Sequence, residues 1–189
     1  MRKITIIIFL IIAFLFSGCS SKQITKGNTL DEAISKSDRL NRSIILHKEV
    51  LNDGVLVFHI PDIKGDQAES RLGAEFVRKV LTGWEVSYKG GTYSSSVKQP
   101  LYSQYFPKDS PFPMVYGEIK DSNINKVAVK EPGSKLKKQA RIIYVKQMPG
   151  MERDIVLWYV FLDKIKGTRL DIEGMAANGR VIFTLSENV

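Results

Sequence analysis

The chain has one cysteine, Cys19, and two histidines, His47 and His59, in 189 residues. A lone thiol closes no intramolecular disulfide, so the fold must be held by its core alone. Two histidines separated by a short stretch confine imidazole chemistry to one place. No Gly-x-Ser-x-Gly elbow, phosphate-binding loop, Gly-x-Gly-x-x-Gly turn or His-Glu-x-x-His helix occurs. These absences remove the usual signatures of α/β-hydrolases, nucleotide-binding enzymes and zinc proteases, and no cofactor is expected. There is no internal repeat, no low-complexity tract and no apolar run of bilayer-spanning length.

What the N-terminus does carry is an ordered set of signals. Arg2 and Lys3 precede an apolar stretch from Ile6 to Phe16, and the small residues Ser17 and Gly18 lead to Cys19. A stretch this short suits a signal h-region of about 7 to 15 residues rather than a membrane helix of about 20. Leu15-Phe16-Ser17-Gly18-Cys19 resembles the lipobox of bacterial lipoproteins, with Phe16 where an aliphatic residue is usual. The resemblance implies that residues 1–18 are removed and that Cys19 is acylated as the new N-terminus. Residues 19–28 then read as a lipidated polar tether, and 29–189 as one extracytoplasmic domain. Within it, 29–98 and 114–189 stand out as sub-regions, the second richer in strands.

Loss of Arg2 and Lys3 lowers the net charge from +8 to +6. The remaining excess favours anionic neighbours, either lipid headgroups or a wall polymer, and nucleic acid is not expected outside the cytoplasm.

Along the domain, Thr29-Leu-Asp-Glu32 has capping-box spacing and predicts a short helix toward Asp38. The apolar runs Ser43 to Leu51 and Val55 to Ile60, split by Asn52-Asp53-Gly54, predict a hairpin. A three-residue loop with Gly54 left-handed gathers the most apolar residues on one face and sets His47 opposite His59, whereas a two-residue loop separates them. Asp66 and Glu69 again have capping-box spacing, and Leu72, Phe76 and Val80 then predict a helix closed by Gly83. Trp84, Val86 and Tyr88 alternate as a strand. After a long loop from Gln99 to Pro113, strands are predicted at 114–119, 126–129, 140–147, 155–162, 169–173 and 180–186. The fold class is α+β, mainly antiparallel β, with a hairpin and helix followed by a sandwich-like region. Trp84, Trp158 and Tyr159 lie in apolar strands and belong to the core.

Three constellations merit testing. His47, Glu49 and His59 form a candidate metal or pH-responsive site in the three-residue register, against the alternative of partly solvated residues on a polar face. Tyr102, Tyr105, Phe106 and Phe112 form a candidate interaction loop, unless they fold back to cap the sandwich. Lys126, Lys130, Lys135, Lys137, Lys138 and Arg141 form a candidate anionic-surface patch, or simply a solvated rim.

The hairpin, helix and Gly83-Trp84 strand followed by β-rich sequence are similar to small surface lipoproteins of Bacillus-like Gram-positive bacteria. Many of these have no assigned activity, so the resemblance supplies no catalytic residue. The expectation is a lipid-anchored, non-enzymatic binding or interaction module, in contact with the membrane through its anchor and with a protein partner or wall polymer. A metal- or pH-responsive protein is the second reading, and an extracytoplasmic hydrolase using scattered Ser, Asp and His is the third. The expected location is the outer face of the cytoplasmic membrane, or the outer membrane in a Gram-negative cell.

Overall fold

The computed structural model describes residues 25–61, 72–90, 99–106, 110–131, 134, 136–162 and 169–188. The lipobox, Asp66, Glu69 and Lys135 lie outside the described residues. Among the described residues, no helix is long and apolar enough to cross a membrane.

Among the described residues the structure is mainly antiparallel β, the α+β class that the sequence predicts, with one short helix where two are expected. Sheet A comprises β1 (Lys26–Gly27), β2 (Ser43–Leu51), β3 (Gly54–Pro61), β4 (Gly73–Val80) and β5 (Gly83–Lys89), in the order β1-β5-β4-β3-β2. Sheet B orders β10 (Arg141–Val145), β11 (Ile155–Phe161), β7 (Met114–Ile119) and β6 (Gln104–Phe106). Sheet C orders β13 (Val181–Asn188), β12 (Arg169–Met175), β8 (Lys126–Lys130) and β9 (Lys137–Gln139). Helix α1 (Leu30–Lys36) and a 3-10 turn at Leu40–Arg42 precede β2. The predicted capping box is formed: Thr29 Oγ1 accepts from Glu32 N at 3.2 Å, and Glu32 Oε2 accepts from Asn28 N at 2.7 Å.

Sheet B is a shared middle layer. Met114, Tyr116, Leu157 and Tyr159 pack against Leu56, Phe58, Ala74 and Phe76 of sheet A. Val115, Trp158 and Val160, from the same two strands, pack against Val127, Val129, Leu170 and Ile172 of sheet C. The alternation of side chains along a strand sends successive residues into two different cores. A third cluster covers the far side of sheet A, where Ala33 and Leu40 press on Val55, Val57, Val77 and Val86. One core thus joins the two sub-regions, since sheet A and sheet B share it. The β9–β10 stretch binds sheets B and C at their corner: the chain leaves sheet C at Ala140, whose N–H bonds Val127 O at 2.8 Å, and enters sheet B.

Burial on both faces explains two departures from expectation. The predicted helix through Leu72, Phe76 and Val80 is strand β4, and Gly83 lies in a hairpin turn rather than at a helix end. Phe76 and Ala74 face sheet B while Val77 faces α1, so both faces are apolar and no period of two shows in the sequence. The hairpin register differs for the same reason. Leu51 pairs with Gly54 across a two-residue loop, Val50 with Val55, and His47 with Phe58. A β-bulge between Ile45 and His47 then shifts the register by one more residue and sets Ile44, not the expected Leu46, opposite Ile60. Gathering the apolar residues of β3 on one face gains nothing when both are covered, and Gly54 is not left-handed.

The residues assigned to a tether through Asn28 are in part structural, because β1 pairs Lys26 with Glu85 and Gly27 with Trp84. Gly83 makes room for this. It adopts φ +124°, and a Cβ there would stand 2.3 Å from Gly27 O. Gly83→Ala is therefore expected to cost about 2 kcal/mol and to detach β1, read as loss of amide-exchange protection at Val86, whose N–H bonds Thr25 O.

Candidate functional site

The two histidines occupy opposite faces of sheet A. His47 stacks beside Phe58 and Tyr159, with ring centroids 6.2 and 6.5 Å away, on the face toward sheet B. Its Nε2 lies 3.1 Å from Glu49 Oε2, and Arg141 Nη1 donates to Glu49 Oε1 at 2.7 Å. Burial pulls the Glu49 carboxyl up, but His47, the Tyr159 hydroxyl and the Arg141 guanidinium outweigh it and hold the group below its ordinary value. This half-buried network clasps edge strand β2 to edge strand β10.

His59 faces the other way, toward α1, and is fully buried. Ser43 Oγ donates to Arg39 O at 2.6 Å and therefore accepts from His59 Nδ1 at 3.0 Å. That assigns the Nδ1–H tautomer and leaves the Nε2 lone pair without a hydrogen-bond partner among the described residues. The ring lies on Gly73, where a Cβ would approach Nε2 to 2.6 Å. Burial, with Arg39 adding to it, lowers the His59 pKa to about 4. Because Ser43 directs its proton to a carbonyl, it presents none for the imidazole to remove. The shared metal site expected of His47, Glu49 and His59 is thus corrected: the two-residue loop and bulge put a sheet between the imidazoles. Among the described residues no group of three or more His, Cys, Asp or Glu is placed to hold a metal.

Next to His59 is a polar layer that sequence reasoning missed. Glu75 is fully buried, with Arg39 Nε 3.3 Å from Oε1 and Ser37 Oγ donating to Oε2 at 3.3 Å. Burial raises its pKa, which Arg39, Lys89 and Ser37 only partly offset. A charged residue in the middle of an apolar strand was the available signal, hidden by the helical reading of that segment.

The aromatic loop is also corrected. Tyr102 and Phe106 are buried, while Tyr105 and Phe112 are partly buried against the cores flanking sheet B. Phe112 meets Phe76 edge-on at 4.7 Å and stacks near Phe106 at 5.7 Å. These residues cap the sandwich and fill it; as a group they do not form an exposed contact surface.

Compared with protein-family models, with curated proteins and with solved structures, the chain has no match in any of the three. The reading of its surface therefore rests on geometry alone.

The basic cluster divides when placed on the fold. Arg141 is in sheet B and paired with Glu49; Lys137 Nζ reaches Glu173 Oε1 at 2.7 Å; Lys138 Nζ donates to Phe161 O at 3.4 Å. Lys126 and Lys130 alternate on the outer face of sheet C with Asp171 and Glu173 on the neighbouring strand, where Lys130 directly opposes Asp171. Mixed signs on one face cancel at a distance, so the described part of the patch is a salted ladder rather than a positive field.

Among the described residues, two surface recesses stand out. One, of about 640 Å³, is polar, lined by Asp121, Asn123, Asn125, Asn178 and Arg180 at the loops beside sheet C. Asp121 and Asn178 there use their side chains to cap their own turns. The other, of about 1010 Å³, opens at the β4–β5 end of sheet A. Phe76, Tyr88 and Pro111 form its apolar part, an Arg78–Glu85 ion pair crosses it, and Lys26, Lys79 and Leu81 contribute to its rim. Apolar surface beside a few placed charges is the composition of a binding site.

Proposed function

We propose that the protein is a lipid-anchored, extracytoplasmic binding module, held at a membrane by Cys19 and presenting the recess at the β4–β5 end of sheet A. The observation that carries the anchoring is the N-terminal order Arg2-Lys3, apolar Ile6 to Phe16, Ser17-Gly18-Cys19. Two acyl chains on Cys19 supply a stable hold on the bilayer, where a single chain would bind only reversibly. Three sheets packed through shared cores suit presentation of a preformed surface. Phe76 and Tyr88 offer contact area, and Lys26 and Lys79 at the rim offer charge for an anionic group, Arg78 being paired with Glu85.

The anchor is tested by mass spectrometry of the mature chain from membrane fractions. The expected result is an N-terminus at Cys19 carrying a diacylglyceryl group, with Cys19→Ala leaving an unlipidated, unprocessed chain. A wild-type chain that keeps residues 1–18 and carries no lipid would overturn the reading.

A further inference from the structure

Among the described residues, every sheet edge but one is blunted against further pairing. Strands β1, β6 and β9 are two, three and three residues long, and β9 carries Lys137 and Lys138. Strand β2 is bulged and presents His47, Lys48 and Glu49, and Glu49 clasps it to Arg141 at the start of β10. Strand β13 is the exception. Its eight residues, Val181 to Asn188, include no lysine, arginine, proline or glycine. Its register shift lies at the Val181 end, opposite Gly174 and Met175, and the rest of its ladder with β12 is regular. On the other side, residues 181–188 make no backbone hydrogen bond to any described residue.

The side chains of β13 are those of an interior strand. Leu185 lies opposite Ile172 and Phe183 opposite Gly174, on the face toward sheet B. Ile172 is fully buried, whereas Leu185 and Phe183 are only partly covered, at the margin of the sheet. The two ends of the strand differ in charge. Arg180, just before it, shares the polar recess with Asp121 but forms no ion pair among the described residues. Glu187, at the far end, accepts from Ser103 Oγ at 2.9 Å and has no cation beside it among the described residues. An antiparallel copy of the same strand brings each Arg180 to the end that carries Glu187 of the other, whereas a parallel copy sets like charges together. The edge is thus complementary to itself, and that decides the occupant.

We propose that β13 pairs antiparallel with β13 of a second copy of this chain, about a two-fold axis at Thr184, so that the two copies of sheet C become one continuous sheet. Centred there, the strands overlap over 181–187, and Phe183 of each lies opposite Leu185 of the other on the face toward sheet B. An axis one residue later sets Phe183 against Glu187, and one residue earlier shortens the overlap to 181–185. Pairing of this kind closes on itself, so the open edge is consumed in a dimer and not extended into a fibre. The dimer does not depend on the lipid anchoring of Cys19.

Single cysteines in the full chain, oxidised with copper–phenanthroline on intact cells, test the register, with the wild-type chain and its one Cys19 as the baseline. In the proposed pair the two Thr184 positions face each other at about 5 Å, within reach of a disulfide; the two Ser186 positions are offset along the ladder by about 13 Å, beyond it. Thr184→Cys should therefore shift to the mobility of a dimer on a non-reducing gel. Ser186→Cys, and Val50→Cys on the edge of sheet A, should stay at the baseline. Adding Glu187→Lys to the Thr184→Cys chain should reduce the dimer band, and adding Arg180→Glu as well should restore it, a recovery that a folding defect would not allow. No dimer of Thr184→Cys, equal cross-linking at all three positions, or a product of any other mass would overturn the proposal.

Discussion

Trp158→Ala is expected to lower the unfolding free energy by about 4 kcal/mol, the largest loss from any single core truncation proposed here. Trp158 is fully buried in β11, the strand that belongs to both cores of the sandwich, on its sheet C side. Its indole Nε1–H donates to Tyr102 O at 3.0 Å, so it also fixes the segment that covers sheet B. That approach depends on Gly117, which pairs with Trp158; a Cβ there would fall 1.7 Å from Tyr102 O. Trp158→Phe keeps most of the volume and loses only the indole donor. Tyr102 O still accepts from Glu118 N at 3.2 Å, so the expected cost is about 1 kcal/mol. Urea unfolding monitored by circular dichroism reads both variants. A loss below about 1.5 kcal/mol in Trp158→Ala would mean that the middle layer is not tightly packed there.

The second large effect is a pH dependence carried by His59. Its ordinary pKa of 6.5 falls to about 4 in the folded chain, because burial disfavours the imidazolium and Arg39 repels it. Between these values the unfolded chain binds a proton that the folded chain does not. Stability is therefore fully present above pH 6.5 and is lost as pH falls toward 4, by about 3 kcal/mol from this residue. Glu75 works in the opposite sense: its raised pKa means that the penalty for its ionised form, present at high pH, is relieved as pH falls through the folded value. The two are separated by comparing wild type with His59→Asn, since Glu75 is common to both. The difference in unfolding free energy between the chains should decline by about 3 kcal/mol from pH 7 to pH 4. A constant difference would show that His59 is protonated as readily in the fold as outside it.

Several strands were legible because their apolar runs are bounded by turn residues. Met114–Ile119 matches β7 at both ends, and Ile155–Leu162 ends one residue beyond β11. Gly150 and Gly179, between successive predicted strands, have φ of +89° and +83°. The helix at Thr29 was legible because a capping box is a local device, formed by side chains three residues apart. Strand β4 was not, since Ala74, Phe76 and Val77 have partners above and below the sheet, and a segment apolar on both faces carries no periodicity to separate strand from helix. The candidate site failed for a related reason. Whether His47 meets His59 depends on one residue of register, and the bulge at Leu46 that helps set it follows from packing against sheet B and α1. The aromatic loop offered two outcomes, and only the open space above sheet B decided that Tyr102, Phe106 and Phe112 fill it.

By itself the sequence determined the class of the fold, the positions of most strands, the capped helix and that no disulfide closes within these residues, all properties carried by neighbouring residues or by composition. Tertiary structure alone decided which face each histidine occupies, which lysines have a carboxylate opposite, and that Leu81 is exposed while Trp158 joins the central layer to sheet C. Those outcomes depend on which surfaces meet, and contact between residues distant in the chain leaves no trace in local pattern once both faces of a strand are buried.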